Sequence, residues 1–345
     1  MKTAVVILNW NTSGYLEQFL PPLIASLEGM DAELIVADNG SMDCSTDLLK
    51  EQFPAVRTIL LDKNYGFTGG YNRALAQIEA DYFVLINSDV EVPAGWLQPL
   101  IAWMDAHPKC GACGPKLHSW HDRDDFEYAG AAGGLMDRYG YTFCRGRVFS
   151  MVEKDEGQYD TPTDVFWVSG ACMLVRSRLW KQLGGLDERF FAHMEEIDLC
   201  WRIQLAGYRV TVVPESVVWH VGGGTLPNDS PRKLELNYRN NLLMLENNLA
   251  RSFRAQGYSV DGACGKARRR ILVRMVLDGV SGINYLVTKK WASYKAVVKA
   301  HAGYRKLHRR PTPEQVAGQK EATIHGWYPR WMVPRALAGK KINFI

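Results

Sequence analysis

Along the first ninety residues, short and wholly apolar runs alternate with polar clusters and helix-compatible stretches. The runs are residues 4–8 (AVVIL), 34–37 (LIVA), 58–61 (TILL) and 82–86 (YFVLI). Such uninterrupted runs are what a strand buried on both faces requires. Their starts lie about 24–30 residues apart, the length of a βα unit, so the pattern predicts parallel strands with helices between them. Each run stops at a polar cluster: Asn9-Trp10-Asn11, Asp38-Asn39-Gly40-Ser41, Asp62-Lys63-Asn64 and Asn87-Ser88-Asp89. In an open parallel sheet, ligands sit beyond the carboxyl ends of the strands. The four clusters therefore converge on one edge, and that edge is the candidate site.

The pattern then weakens. Residues 107–165 mix Gly, Asp, Arg and aromatics and read as loops and short strands. A strand is expected over 165–175, a helix over 195–206 stopped by Gly207, and a strand over 209–213 followed by Pro214. Residues 217–219 lead into His220, Val221 and three glycines, which call for mobility or a tight turn. Helices are expected over 234–249 and 267–288, with a third starting at Trp291, where Trp291, Tyr294 and Val298 recur at helical spacing. No internal repeat or low-complexity segment interrupts the chain.

Composition narrows the class. With 345 residues, 47% hydrophobic and 23% charged, the chain can bury a normal core, which excludes wholesale disorder. Its seven cysteines are odd in number and scattered, against a secreted disulfide framework. Cys110-x-x-Cys113 has no second pair at zinc-site spacing and reads as structural. The N-terminal apolar run is too short for a signal peptide, and no uncharged apolar stretch is long enough to span a bilayer. The expectation is a reduced, cytoplasmic protein. Charge changes the picture more: residues 1–224 hold 18 basic and 30 acidic side chains, net −12, whereas residues 225–345 hold 23 and 7, net +16. A basic tail (Lys266, Arg268, Arg269, Arg270, Arg274, Arg305, Lys306, Arg309, Arg310) interleaved with Trp291, Tyr294, Trp327, Tyr328 and Trp331 suits an anionic membrane interface better than nucleic acid. No nucleic-acid reader motif accompanies it, and the acidic body would repel a phosphate backbone.

Five motifs can carry chemistry. Asp38-Asn39-Gly40-Ser41 with Asp43 offers carboxylates to a base or ribose, or is a plain turn and helix cap. Asn64-Tyr65-Gly66-Phe67-Thr68-Gly69-Gly70-Tyr71-Asn72 lets backbone approach a phosphate-bearing ligand at a helix N-terminus. It is not a P-loop, since no Gly-Lys-Ser/Thr follows. Asp89, at the end of a fully apolar strand, needs hydrogen bonds or a hard cation, and His220 is either a metal ligand or a packed histidine. Glu195-Glu196-Ile197-Asp198 crowds three acids into one helical turn, with Asp198 and Arg202 on the face of Glu195. One of them is expected to have a raised pKa and work as a base, unless they form a solvated first turn.

Taken in order, these motifs resemble the family 2 glycosyltransferases over about residues 3–248, closest to a bacterial rhamnosyltransferase-like branch. VVILNWN and ADNGSMD resemble the opening strand and the VDNGSxD segment, which makes Asn11, Asp38, Asn39, Ser41 and Asp43 candidates for nucleoside contacts. NYGFTGGYNRAL resembles the element near the diphosphate, adding Asn64, Gly66, Phe67 and Asn72. LINSDV stands where the family carries its DxD-like motif, so Asp89 matches the metal-binding acid and Asn87 replaces the first one. VSGACMLVRSRLWKQLGGLDERFF resembles the floor of the donor and acceptor sites, bringing in Gly170, Ala171 and Asp187, to which Trp167 just before it and Arg202 of the acidic helix are added. HMEEIDLCWR matches the acidic helix, whose second acid acts as base. That is Glu196, with Glu195 as the alternative and Asp198 beside them. WHVGGGT matches the loop whose histidine, His220, completes the metal site.

The resemblance implies an α/β GT-A (Rossmann-like) fold: a mostly parallel central sheet flanked by helices, with a basic α-helical C-terminal extension. It implies a catalytic domain over 1–225, with a nucleotide-sugar half (about 1–110) and an acceptor half (about 111–225), then the extension over 226–345. It implies an inverting enzyme using Mg2+ or Mn2+, a UDP- or dTDP-sugar donor and a lipid-linked glycan acceptor. Such an enzyme would work at the inner face of the membrane through its basic tail, with a homo-oligomer left open. Two rivals stand beside it: a catalytically inactive GT-A module, and a sugar nucleotidyltransferase, which would need an Arg-bearing glycine loop that Asn9–Gly14 lacks.

Overall fold

A computed structural model describes residues 2–222 and 230–338. Gly223 and Gly224 of the triple glycine, and the expected domain boundary at Thr225, lie outside the described residues.

The first unit follows the predicted alternation: β1 (Thr3–Asn9), α1 (Ser13–Ser26), β2 (Ala32–Asp38), α2 (Ser45–Gln52), β3 (Arg57–Leu60), α3 (Gly66–Leu75) and β4 (Tyr82–Ile86). The four strands pair in parallel, with Asn9 opposite Asp38, Asp38 opposite Leu60 and Ile7 opposite Ile86. In-register pairing brings their carboxyl ends side by side. The unbroken apolar runs of β1 and β4 follow from burial on two sides. Strand β3, at the sheet edge, buries only Ile59 and leaves Leu60 67% exposed, so residues 58–61 are not the doubly buried strand expected. Ala4 and Val6 of β1 face the layer holding Leu75 of α3, while Val5 and Ile7 face the layer holding Leu16 and Leu20 of α1.

Beyond β4 come β5 (Val90–Glu91), α4 (Leu97–Ala106), β6 (Cys110–Ser119), β7 (Gly134–Asp137), β8 (Thr142–Cys144), β9 (Arg147–Val148), β10 (Met151–Val152), β11 (Thr163–Asp164), β12 (Cys172–Arg176), α5 (Ser177–Leu183), α6 (Glu195–Leu205) and β13 (Arg209–His220). Among the described residues the main sheet runs β11-β13-β6-β12-β4-β1-β2-β3, and β5 pairs with β13. The parallel arrangement holds from β3 to β4. It then gives way to a mixed half, because β12 inserts antiparallel between β4 and β6.

Three further local expectations need correcting. Residues 165–171 are not strand: Phe166 and Trp167 exchange backbone hydrogen bonds with Gly134, and only residues 172–176 join the main sheet as β12. Pro214 does not end β13, which runs on to His220 through a register shift between Val212 and Val217 that accommodates the missing N–H. The supposedly irregular middle contains the ten-residue β6, CGACGPKLHS. Its small residues hide it from propensity but let helices approach: a methyl added at Gly111 would lie 2.6 Å from Ile203.

The C-terminal helices are α7 (Pro231–Ala255), α8 (Val260–Val287), α9 (Trp291–Leu307), α10 (Pro313–Ala317) and α11 (Val333–Leu337), with β14 (Trp327–Tyr328) before the last. Helix α8 starts earlier than its apolar pattern because Ser259 caps it, accepting from the Gly262 N–H. Helix α7 shares the core of the first 225 residues: Leu242, Leu245 and Leu249 are fully buried, and Trp201 of α6 donates to Ser252 (2.8 Å). Strand β14 pairs with β7 in a second, five-stranded sheet.

The basic, aromatic character of this region is only partly a surface property. Arg274 is buried and paired with Asp278 (2.7 Å). Trp327 packs on Phe166 and Trp201, Tyr328 on Phe143, and Trp331 on Tyr139. Of the aromatics assigned to a membrane interface, Trp291 is the one strongly exposed, at 58%.

Asp198, fully buried, binds the seam between α6 and α7: it accepts from Arg202 (2.7 Å), Asn247 (3.0 Å) and Asn248 (2.7 Å). Asp198→Ala is expected to leave Arg202 uncompensated and lower unfolding free energy by about 3–5 kcal/mol, read by urea denaturation.

Candidate active site

The ends of β1 and β2 are tied into one polar cluster. Asn9 donates to Asp38 Oδ1 (2.8 Å) and to Ser41 Oγ (3.1 Å), and the Ser41 N–H donates to Asp38 Oδ2 (2.9 Å). The Asn11 N–H donates to Ser41 Oγ (2.9 Å), and Asn11 Oδ1 accepts from Met42 N–H (2.7 Å). Asp43 accepts from the N–H groups of Ser13 (3.0 Å) and Ser45 (3.1 Å). Asn11, Asp38, Ser41 and Asp43 thus form a preorganised rim beyond the sheet, with Asn9 as its hub.

Asn39 joins this rim to the glycine loop. It donates to Asn64 Oδ1 (3.2 Å) and the Gly66 carbonyl (3.0 Å), and accepts from Tyr65 N–H (3.0 Å). Gly66 has a positive φ of 72°, and any Cβ there would strike Phe191. A Cβ on Gly70 would meet Leu8 at 2.7 Å, so the glycine lets α3 lie directly on β1. Asn72 is committed elsewhere, clasping the Leu186 backbone as donor (2.8 Å) and acceptor (2.9 Å).

Asp89 and His220, 131 positions apart, meet because β5 pairs with the end of β13, placing Val90 opposite His220. Asp89 Oδ1 lies 3.2 Å from His220 Nε2, both side chains being buried. Glu127 Oε1 stands 3.4 Å from Nδ1 on the other side of the ring, near enough to act through charge. Burial alone would lower the His220 pKa, but the Asp89 and Glu127 carboxylates outweigh it and push it up to about 10. Burial would likewise raise Asp89, and His220 reverses this to hold it below the usual range.

These two side chains fit a divalent cation shared with a diphosphate. One carboxylate oxygen and one imidazole nitrogen 3.2 Å apart match adjacent ligands of a six-coordinate ion, about 3 Å apart at ordinary bond lengths. Among the described residues no group of three or more such donors converges, so Asp89 and His220 would share the ion with substrate oxygens and water.

The acids of α6 sit beside this corner. The Asn87 N–H donates to the Ala171 carbonyl (2.9 Å), and the Asn87 carboxamide lies 3.5 Å from His220. Next along, a methyl added at Gly170 would lie 3.4 Å from Glu196 Cβ and 3.6 Å from Phe67 Cζ. Five segments remote in sequence therefore abut, around Phe67, Asn87, Gly170–Ala171, Glu196 and His220. Oε2 of Glu195 and Oε2 of Glu196 are both shielded and have no hydrogen-bond partner. Burial pushes Glu196 up to about 7, and burial with the Glu196 carboxylate raises Glu195 well above the usual carboxylate range.

Other sequence candidates lie apart from the rim. Trp167 packs flat on Gly134 and donates to the Leu135 carbonyl (3.2 Å). Asp187 is taken up by Arg189 and Asn247, and Arg202 by Asp198 and the carbonyls of Leu183 and Gly185. Their bonds hold the floor and α6 in place.

Sequence reading passed over Asn9, Glu127, Arg239 and Asn240. The last two brace the segment before the acids, where Phe191, His193 and Met194 all have φ near +70°. Each such residue costs on the order of 1–2 kcal/mol. Asn240 offsets this by donating to the carbonyls of Phe190 (2.9 Å), Ala192 (2.8 Å) and His193 (2.7 Å), and Arg239 donates to Phe190 (2.7 Å). The signal was a run of polar residues, Arg239-Asn240-Asn241, inside a helix that otherwise reads as core-facing. Asn240→Ala is expected to lower stability by about 1–3 kcal/mol through unpaired buried carbonyls, seen as a reduced urea midpoint.

Comparison with known proteins agrees with this geometry. The family model described as Glycosyl transferase family 2 matches residues 4–184, more than half the chain. N-acetylglucosaminyl-diphospho-decaprenol L-rhamnosyltransferase of Mycobacterium tuberculosis is 28% identical over 259 residues, covering 70% of this chain and 83% of its own. Rhamnosyltransferase WbbL of Escherichia coli is 26% identical over 223 residues, covering 61% and 80%. Among solved structures, the mannosyltransferase PcManGT from Pyrobaculum calidifontis, in complex with GDP-Man and Mn2+, superposes with a TM-score of 0.51 at 15% identity, covering 88% of this chain and 87% of that one. That likeness shows the fold, which is GT-A. The chain belongs to glycosyl transferase family 2, in its bacterial rhamnosyltransferase-like branch, and is a glycosyltransferase.

Proposed function

We propose that this enzyme moves a sugar, rhamnose being the favoured case, from a UDP- or dTDP-sugar to a hydroxyl of a lipid-linked glycan in the synthesis of bacterial surface polysaccharide. The observation that carries this reading is the position of Glu196. One oxygen of its carboxyl has no partner, and the stem of the side chain lies beside Gly170, one residue from the Ala171–Asn87 contact. A relative that acts, by its name, on a diphospho-decaprenol acceptor supports the acceptor class. A structural neighbour holding GDP-Man and Mn2+ supports a nucleotide-sugar donor and a divalent metal.

Asn11, Asp38, Ser41 and Asp43, cross-linked to one another and to Asn9, Ser13 and Ser45, form the rim that receives the nucleoside. Asn39 and Asn64 fix the glycine loop around the diphosphate. Asp89 and His220 would hold Mg2+ or Mn2+, which supplies positive charge for the departing nucleoside diphosphate. An acceptor hydroxyl is a weak nucleophile, so a carboxylate must take its proton as the new bond forms. Glu196 is poised for this near neutral pH, and Glu195 beside it is raised by burial and by the Glu196 carboxylate. A single base opposite the leaving group gives direct displacement with inversion at the anomeric carbon. Asp198 and Arg202 are positioning residues for α6. The setting is the inner face of an anionic membrane, approached through the basic C-terminal helices. No helix among the described residues is long and apolar enough to cross a membrane.

Glu196→Gln is expected to lower kcat on the order of 10²–10⁴-fold with donor binding retained, and Glu195→Gln to lower it less. The reverse order would make Glu195 the base. Because the base must be ionised, kcat/KM is expected to rise with pH through about 7 and level off above it, with this limb lost in Glu196→Gln. Calorimetry with UDP, dTDP, GDP and CMP, each with Mn2+ and with EDTA, tests the donor site. Metal-dependent binding of UDP or dTDP that Asp89→Ala abolishes is the expected outcome. Tight metal-independent binding, or none, would defeat the reading.

A further inference from the structure

Helix α8 is inverted relative to an ordinary surface helix. Its inward face carries Ala263, Ala267, Gly282 and the ion pair Arg274–Asp278, all buried. Its outward face carries Leu272, Val276, Val280, Ile283 and Val287, exposed by 57–75%. At spacings of four, four, three and four, these five side chains form one straight stripe about 22 Å long. Apolar faces of this extent on soluble proteins mark contact surfaces. Two basic pairs close the stripe: Arg268 and Arg269 at one end, Lys289 and Lys290 at the other, all exposed. From Gly262 to Lys290 the one acidic residue is Asp278, which is buried.

Charge decides what covers the stripe. Were a second copy to lie antiparallel across it, centred on Gly279, Arg268 and Arg269 would face Lys290 and Lys289 of that copy. A parallel pairing would set the arginines beside their own counterparts. Either way cations meet cations, and the one exposed carboxylate of the helix, Asp261, lies two turns outside Arg268 and faces neither basic pair in these pairings. An anionic lipid surface removes the conflict: the apolar stripe enters the boundary between headgroups and acyl chains, and the basic pairs reach phosphates at both ends.

We infer that α8 is the membrane-contact element, lying in the plane of an anionic bilayer with the Leu272–Val287 stripe inserted, rather than the C-terminal helices acting through charge alone. This deepens the membrane setting proposed above and rests on it. It distinguishes an inserted apolar face, which salt weakens only in part, from a purely electrostatic tail.

The test is co-sedimentation of the full chain with phosphatidylcholine vesicles and with vesicles containing phosphatidylglycerol. Wild type is expected to partition onto the anionic vesicles. The triple variant V276Q/V280Q/I283Q, which keeps every charge, is expected to partition roughly tenfold or more less. R268Q/R269Q is expected to lose several-fold. Thermal melts of both should match wild type, since the altered side chains point outward. Binding of the triple variant equal to wild type would overturn the inference, as would wild type binding neutral and anionic vesicles equally. A wild-type dimer by light scattering that the triple variant converts to monomer, without vesicle binding, would overturn it in favour of a second copy. Transfer to a water-soluble acceptor separates the two readings. Stripe-dependent vesicle binding without transfer sustains this inference and defeats the enzymatic one, and transfer without vesicle binding does the opposite.

Discussion

Asp198 is a carboxylate without solvent, held by Arg202 from its own helix and by Asn247 and Asn248 from α7. A buried charge persists only when its partners satisfy it, so this side chain forces α6 and α7 to pack in one register. Much follows from that seam. It seats Trp201 against Ser252, and it brings Asn240 onto the strained backbone of residues 190–193. It holds the start of α6, and with it Glu196, against Gly170. The C-terminal region is therefore part of the frame that aims the acids, whatever else it does.

The site itself is an outcome of strand pairing. The in-register parallel half aligns the ends of β1 and β2, so Asn9, Asn11, Asp38 and Ser41 can cross-link. The two-residue β5 then does what no local signal announces: it turns back onto β13 and brings Asp89 to His220. Both groups are buried, and each sets the charge of the other. Glu195 and Glu196 show the complementary effect. Burial raises both, and the Glu196 carboxylate raises Glu195 further.

The basic surplus of the last third divides in the same physical way. Arg239 and Arg274 are spent on internal carbonyls and on Asp278, and Trp327, Tyr328 and Trp331 pack on Trp201, Phe143 and Tyr139. What remains exposed includes Arg305, Lys306, Arg309 and Arg310, and an outward face on α8 that is apolar in the middle and cationic at its ends. Burial thus divides the basic tail into an internal framework and an exposed surface.

Sequence by itself determined the elements whose signal is local: the four parallel strands, the α6 helix, the helical C-terminal region and the order of motifs that marks a family 2 glycosyltransferase. Both-sided burial demands continuous apolar runs, and a helix demands its own period, so these are written along the chain. Tertiary structure alone decided the mixed half of the sheet, the strand character of β6, the continuation of β13 past Pro214, and the partners of Asp89, Asp198 and Glu196. Each depends on contacts between residues distant along the chain. Small residues such as those of β6 carry no propensity until a helix lies against them, and a carboxylate's charge state is set by neighbours that only the fold supplies.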